Sequence, residues 1–159
     1  MKKKYKKYRI AKFLSFKKNT KIIIINDLSK LKKKTNFDLE NKRICLHNRK
    51  HDKQQEMIIC QKKNNFFPPK KNTVSDQSFL ILEGKLLIVT FDELGNITSK
   101  TLLSKNSNLF IRVKKNTYHC DIPISNTAIH LEIKNCIFNH KVNKIAKFHF
   151  DPKKILFKK

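Results

Sequence analysis

The sequence predicts an all-β fold, a closed antiparallel sandwich or barrel, and three observations carry that prediction. Eight β-branched or aromatic-rich runs, each roughly 5–8 residues long, crowd into about 95 residues between Arg43 and Lys134. Turn chemistry, not helical periodicity, separates them. With 159 residues the chain has room for one core of this kind and no second of comparable size.

The elements follow in order. Residues 1–21 are a basic extension. Residues 22–42 form a lead-in whose stretch from Asp27 reads as a short helix, with Asp27 as its N-cap. The barrel spans 43–138, with strands at Arg43 to His47, Gln55 to Gln61, Ser78 to Glu83, Lys85 to Phe91, Ile97 to Leu103, Leu109 to Val113, Thr117 to Ile122 and Thr127 to Lys134. Glu83-Gly84-Lys85 is a tight turn, Asp92 to Asn96 has hairpin chemistry, and Pro68-Pro69 interrupts pairing before the strand at Ser78. Residues 139–159 are a basic tail whose Phe148, Phe150, Ile155 and Phe157 are suited to pack partly on the barrel.

Charge is the outlying property. Lys and Arg total 37 against 12 acids, a formal charge of +25. Residues 1–21 hold ten cations and no acid, and residues 140–159 hold seven against Asp151, so the ends carry +16 and the 118 residues between them +9. Such tails attract polyanions, and Tyr5, Tyr8, Phe13 and Phe16 interleave with the N-terminal lysines in a way that suits stacking or interfacial contact. A solvated arm with no partner has the same composition. Steep weakening of binding with salt would identify polyanion contact, and no signature of sequence-specific DNA reading is present. No wholly apolar run exceeds four residues, Ile22 to Ile25 being one, so no transmembrane segment and no signal peptide is expected, and the expectation is a cytoplasmic chain. Four cysteines without a CxxC pair exclude a zinc ribbon or a dense disulfide scaffold and read as reduced core thiols.

The segments Phe66-Phe67-Pro68-Pro69-Lys70-Lys71-Asn72 and Gln77-Ser78-Phe79-Leu80-Ile81-Leu82-Glu83-Gly84 resemble the first conserved motif of the cupin superfamily. Phe110-Ile111-Arg112-Val113 followed by Asn116-Thr117-Tyr118-His119 resembles the second. Arg43-Ile44-Cys45-Leu46-His47, Gln55-Glu56-Met57, Leu131-Glu132-Ile133-Lys134 and Phe138 resemble one branch, the WbuC-type cupin fold metalloproteins of O-antigen gene clusters. The resemblance covers about residues 22–150. It implies a cupin-type, jelly-roll-like antiparallel β-barrel with a short N-terminal helix and basic tails, and pairing through strand edges into a homodimer. Arg43, His47 and Gln55 match the branch's N-terminal motifs, in a role that is either functional or a matter of packing the first strands onto the barrel.

The family's metal is held by an HxH pair, a Glu about five residues on, and a His in the second motif. Residues i and i+2 of a strand share a face, so such a pair aims two imidazoles into the lumen. Here the first His position falls on Lys70, the second on Asn72 and the Glu on Gln77, while His119 alone survives. A protonated lysine has no lone pair, neutral amides are poor transition-metal ligands, and one imidazole does not hold the ion. Cys120 faces away from His119 in a strand, and His47, His51, His130, His140 and His149 show no ligand spacing and read as surface or structural. No metal and no other cofactor is expected.

The exchange makes the lumen cationic and rich in donors. One reading is a pocket for an anionic or sugar-containing small molecule, with Lys70 as charge anchor, Asn72 and Gln77 reading hydroxyls or carbonyls, and His119 adding a titratable group. Its context, through the resemblance, is surface-polysaccharide or O-antigen biosynthesis. A second is a metal-independent nucleotide-sugar isomerase or epimerase, with His119 as catalytic base, Lys70 polarising a carbonyl and Asp121 on the same face. A third is a non-enzymatic polyanion-binding protein acting through its tails. A decayed site filled by side chains and water fits the same residues. Whether the chain is an enzyme stays open at this level.

Overall fold

The structure, a computed structural model, describes residues 11–13, 20–49, 51–137, 139, 141–152 and 155. Most of the basic extension and the last four residues, Phe157 among them, lie outside the described residues, as do Phe138 and His140. The elements are β1 (Ala11–Phe13), α1 (Ile25–Asp38), β2 (Lys42–Cys45), β3 (Gln54–Lys62), β4 (Lys70–Asn72), β5 (Gln77–Glu83), β6 (Lys85–Phe91), β7 (Ile97–Ser104), β8 (Phe110–Val113), β9 (Tyr118–Pro123), β10 (Thr127–Asn135) and β11 (Asn143–Ile145). They form two facing sheets, ordered β1-β2-β3-β10-β5-β8 and β11-β4-β9-β6-β7. Pairing is antiparallel apart from β1 on β2, which is parallel. This is the two-sheet antiparallel sandwich that the strand spacing predicts, with the jelly-roll-like form that the cupin resemblance implies and one helix among the described residues.

All eight expected strands are present, with no end displaced by more than two residues. The short strands β1, β4 and β11 were not foreseen. β4 begins directly after Pro69: the double proline limits pairing before Lys70 and does not prevent it afterwards. The helix starts two residues earlier than expected, and Asp27 is its third residue and not its N-cap. Its carboxylate still serves the helix start by accepting the Ile24 amide at 3.2 Å. Gly84 closes the β5–β6 turn at φ +80°, a left-handed conformation that favours glycine, and a Cβ there would meet the Thr127 carbonyl oxygen.

Three apolar layers hold the sheets. Between them lie Phe79, Ile81, Leu86, Ile88, Leu103, Val113 and Ala128. Outside the first sheet, Leu31 of α1 covers Ile44, Ile58, Cys60 and Ile129. Buried Lys42 anchors the helix's C-terminal end through Asp38 at 2.7 Å and Glu40 at 3.3 Å. Outside the second sheet, Phe66, Phe148 and Phe150 cover Val89, Phe91, Cys120 and Ile122, with Phe150 4.8 Å and Phe148 5.4 Å from the Phe91 ring. Each such buried side chain contributes about 1.5–3 kcal/mol of transfer free energy. Both sheets are therefore apolar on their outer faces, which leaves the inner faces free to be polar over part of their length.

Candidate functional site

β10 sets the chemistry of the interior. Its residues alternate, with Ile129 and Leu131 turned outward to α1's layer and Ala128, His130, Glu132 and Lys134 turned inward. The register lays these in rows across the first sheet. Lys134 stands between Gln55 and Gln77, Glu132 between Met57 and Phe79, and His130 between Ile59 and Ile81. The facing sheet supplies His119 and Asp121 from β9, and β4 pairs Lys70 directly with His119. Phe79 is wedged between the two imidazoles, 5.8 Å from the His119 ring and 5.9 Å from the His130 ring. Gln61 reaches across from β3 and donates its amide to Asp121, tying the two sheets together.

His119 is buried and its Nδ1 lies 3.0 Å from the Thr117 carbonyl oxygen. A carbonyl only accepts, so this bond puts the proton on Nδ1 and leaves Nε2 as a lone pair. Nε2 has no partner among the described residues. Burial, seconded by the Lys70 charge, holds the imidazole below its ordinary range, so it is neutral near pH 7. Burial does the same to His130, and neither of its ring nitrogens has a partner among the described residues. Glu132 is the opposite case. Burial would raise its carboxyl, yet Lys70, Lys134, His130 and Arg43 outweigh it and take it down to about 2. Lys134, with Nζ 3.9 Å from Glu132 Oε1, is held below the ordinary ammonium range by burial despite that attraction.

The expected site residues sort by what they touch. Lys70 is half-buried on β4, with Nζ 5.8 Å from the Phe67 ring centroid, and its charge acts on His119, His130, Glu132 and Lys134. Gln77 is buried, and its Nε2 lacks a partner among the described residues. Asn72 is buried but fully engaged. Its oxygen accepts the amides of Val74 and Ser75 at 2.9 Å, and its nitrogen donates to Cys136 Sγ at 2.9 Å and Asn143 Oδ1 at 3.4 Å. Arg43 faces inward, with Nη1 3.6 Å from Met57 Sδ, and its charge reaches Glu132. His47 and Gln55 bind backbone instead: His47 Nδ1 lies 3.0 Å from the Glu56 carbonyl, and Gln55 donates to the Asp52 carbonyl at 2.7 Å. Lys70, Gln77 and His119 thus meet in one interior, while Asn72 holds a turn.

His130, Glu132, Lys134 and Gln61 face the same interior, and the sequence reading did not single them out as candidates. The signal was the period-2 pattern of β10, Ala-Ile-His-Leu-Glu-Ile-Lys, read with its apolar face toward the core. The four cysteines are free and buried. Desolvation raises the Cys60 thiol to about 11 and the Cys120 thiol further, so both are poor nucleophiles. The set at the family's metal positions does not suit a transition metal: Lys70 is a cation, and Asn72 has no lone pair to spare. Among the described residues, no three His, Cys, Asp or Glu side chains are grouped to hold a metal ion.

No known family profile and no curated protein sequence matches the chain. Solved structures match it. The capsular polysaccharide assembling protein CapF from Staphylococcus aureus superposes with a TM-score of 0.54 at 13% identity, over 61% of this chain and 28% of that one. A dTDP-4-dehydrorhamnose 3,5-epimerase from Elizabethkingia anophelis gives 0.50 at 19% identity, over 59% and 56%. Protein SO0799 from Shewanella oneidensis gives 0.51 at 9% identity, over 65% and 66%. The matching part spans from 21% to 66% of the length of the first three structures compared. CapF and the epimerase are cupin-fold proteins, and at these identities the likeness shows the fold alone. Among the described residues, no helix is long and apolar enough to cross a membrane.

Proposed function

We propose that the barrel interior binds a small anionic or sugar-containing molecule without a bound metal. The observation that carries this reading is a set of six buried polar atoms with no partner among the described residues: Gln61 Oε1, Gln77 Nε2, His119 Nε2, Asp121 Oδ1 and both ring nitrogens of His130. Buried polar groups in native proteins are nearly always satisfied, and leaving one unpaired costs about 1–3 kcal/mol. Six of them on facing walls, next to the charges of Lys70, Lys134 and Arg43, form a surface complementary to a ligand with several hydroxyl, carbonyl or anionic groups. A site decayed into ordinary core would have exchanged these groups for apolar ones. CapF and the epimerase support a sugar-related context, and the resemblance to the WbuC branch supports surface polysaccharide chemistry in particular. Calorimetry with nucleotide-sugars and sugar phosphates tests the reading. Saturable binding that Lys70→Met weakens supports it, and absence of heat from every compound refutes it.

One observation favours a catalytic version of the same site. His119 Nε2 is a neutral, unpartnered lone pair inside the barrel, the state a general base needs to take a proton from carbon beside a carbonyl. Lys70, paired with it across β4 and β9, is placed to polarise that carbonyl oxygen. Solvent deuterium exchange into a nucleotide-linked keto-sugar, lost in His119→Gln, is the expected signature.

A further inference from the structure

Glu132 is an unusual residue to find in a cationic cradle. It is 3% exposed, and its cross-strand neighbours are Phe79 and Met57, neither of which solvates a carboxylate. Lys134 approaches its Oε1 at 3.9 Å, too far for a hydrogen bond, so the ammonium balances its charge without occupying its lone pairs. Lys70 from the opposite sheet and Arg43 from β2 supply the rest of the balancing charge. The carboxylate is thereby kept ionised in a place where burial alone would protonate it.

We infer that Glu132 is a built-in counter-anion that sets the selectivity of the barrel, so that an anion is accepted only when it also brings hydroxyl or amide donors to this carboxylate. The inference rests on the reading that the interior binds a small molecule, and it narrows that molecule to a hydroxylated anion, such as a hexose phosphate or sugar acid. A bare inorganic anion gains the attraction of Lys70, Lys134 and Arg43 but meets Glu132 with nothing to donate, and like charges at close range in a weakly screened interior repel. A hexose phosphate meets the same cations with its phosphate and offers O–H groups to Glu132. Charge-assisted hydrogen bonds of that kind are about twice as strong as neutral ones. The orphaned acceptors on Gln61 and Asp121 would receive further hydroxyls.

Inorganic sulfate and glucose 6-phosphate separate the two contributions at about pH 7.5, because both are tetrahedral dianions there and only the second carries O–H groups to donate. Both are titrated into wild-type protein and Glu132→Gln by calorimetry at about 0.15 M salt, where exposed lysines are screened, and only the saturable one-to-one component is counted. Wild type is expected to bind glucose 6-phosphate about tenfold or more tightly than inorganic sulfate. Glu132→Gln is expected to gain about tenfold for inorganic sulfate and to lose most of the preference, since removing a facing charge at this range is worth at least one decade. Equal affinity of wild type for the two compounds, or an unchanged ratio in Glu132→Gln, overturns the inference while leaving the binding function standing. Failure of wild type to bind any sugar phosphate or nucleotide-sugar removes the function and this inference together. If Glu132→Gln does not fold, the wild-type pair of affinities decides.

Discussion

Acid should unfold this protein in two stages that report separately on the interior. His47, His119 and His130 are all held below the ordinary imidazole range, each chiefly by burial. The unfolded chain therefore binds protons that the native chain refuses, so stability is full above about pH 6.5 and falls as pH drops toward the folded values. Glu132 comes next. Its folded value of about 2 lies below the unfolded 4.5, so its contribution is present above about pH 4.5 and is lost as pH falls through 2. At 1.36 kcal/mol for each pKa unit, the difference is worth about 3 kcal/mol, a sizeable part of the 5–15 kcal/mol typical of whole domains. The partner lysine points the other way, since burial lowers Lys134 and its charged form opposes folding. That cost is the same wherever the lysine is protonated in both states, so the acid limb follows the carboxylate.

Urea unfolding followed by circular dichroism at unit steps from pH 7 to pH 3 reads both stages. Wild type is expected to lose stability from pH 7 to 5 through the histidines and again below pH 5 through Glu132. Glu132→Gln is expected to be less stable at pH 7, since it leaves buried cations unbalanced, and to keep the upper stage while losing most of the lower one. Other acids, such as the half-buried Asp52 and Asp92, are unchanged between the two proteins and cancel in the comparison. An acid limb of equal slope in wild type and Glu132→Gln, or stability that rises as pH falls from 7 to 5, would refute the account of the interior given above.

Other perturbations test single contacts. Phe79→Ala removes a fully buried ring that separates the two interior imidazoles, and should cost about 3–5 kcal/mol in denaturant melts; a loss under 1 kcal/mol would mean the ring is not core. Gly84→Ala forces a Cβ against the Thr127 carbonyl at positive φ and should destabilise by about 1–3 kcal/mol with the secondary structure unchanged. If the chain is catalytic, His119→Gln should lower kcat by about 10²–10⁴ with little change in KM, whereas a purely structural role would instead appear as a lower Tm with activity per folded molecule intact. Asn72→Ala should loosen the turn at Val74 and Ser75 and lower stability by about 1–2 kcal/mol, since four hydrogen bonds end on that amide.

How far the sequence could be read depends on which physical rule governed each part. Strand positions were legible because period-2 runs and turn residues are local properties, and the eight expected runs are strands. β4 and β11 are three residues each and pair with one another, with no pattern long enough to show periodicity. Of the residues that motif spacing named, Lys70, Gln77 and His119 share the polar interior. Asn72 shows the weakness of position alone, because a buried amide can serve a turn as readily as a ligand. β10 shows the larger gap. Its alternation was plain, but alternation does not say which face is inside, and the usual rule puts isoleucine and leucine there. The rule inverts because α1 lies over the first sheet and takes Ile129 and Leu131 as its own contacts, leaving His130, Glu132 and Lys134 for the lumen. The clue was present upstream: a helix with Leu28 and Leu31 spaced to cover a sheet, just before the first long strand, needs an apolar outer face to rest on. A β-sandwich strand with polar residues on alternate positions should therefore be weighed against the helices available to cover it before its polar face is assigned to solvent.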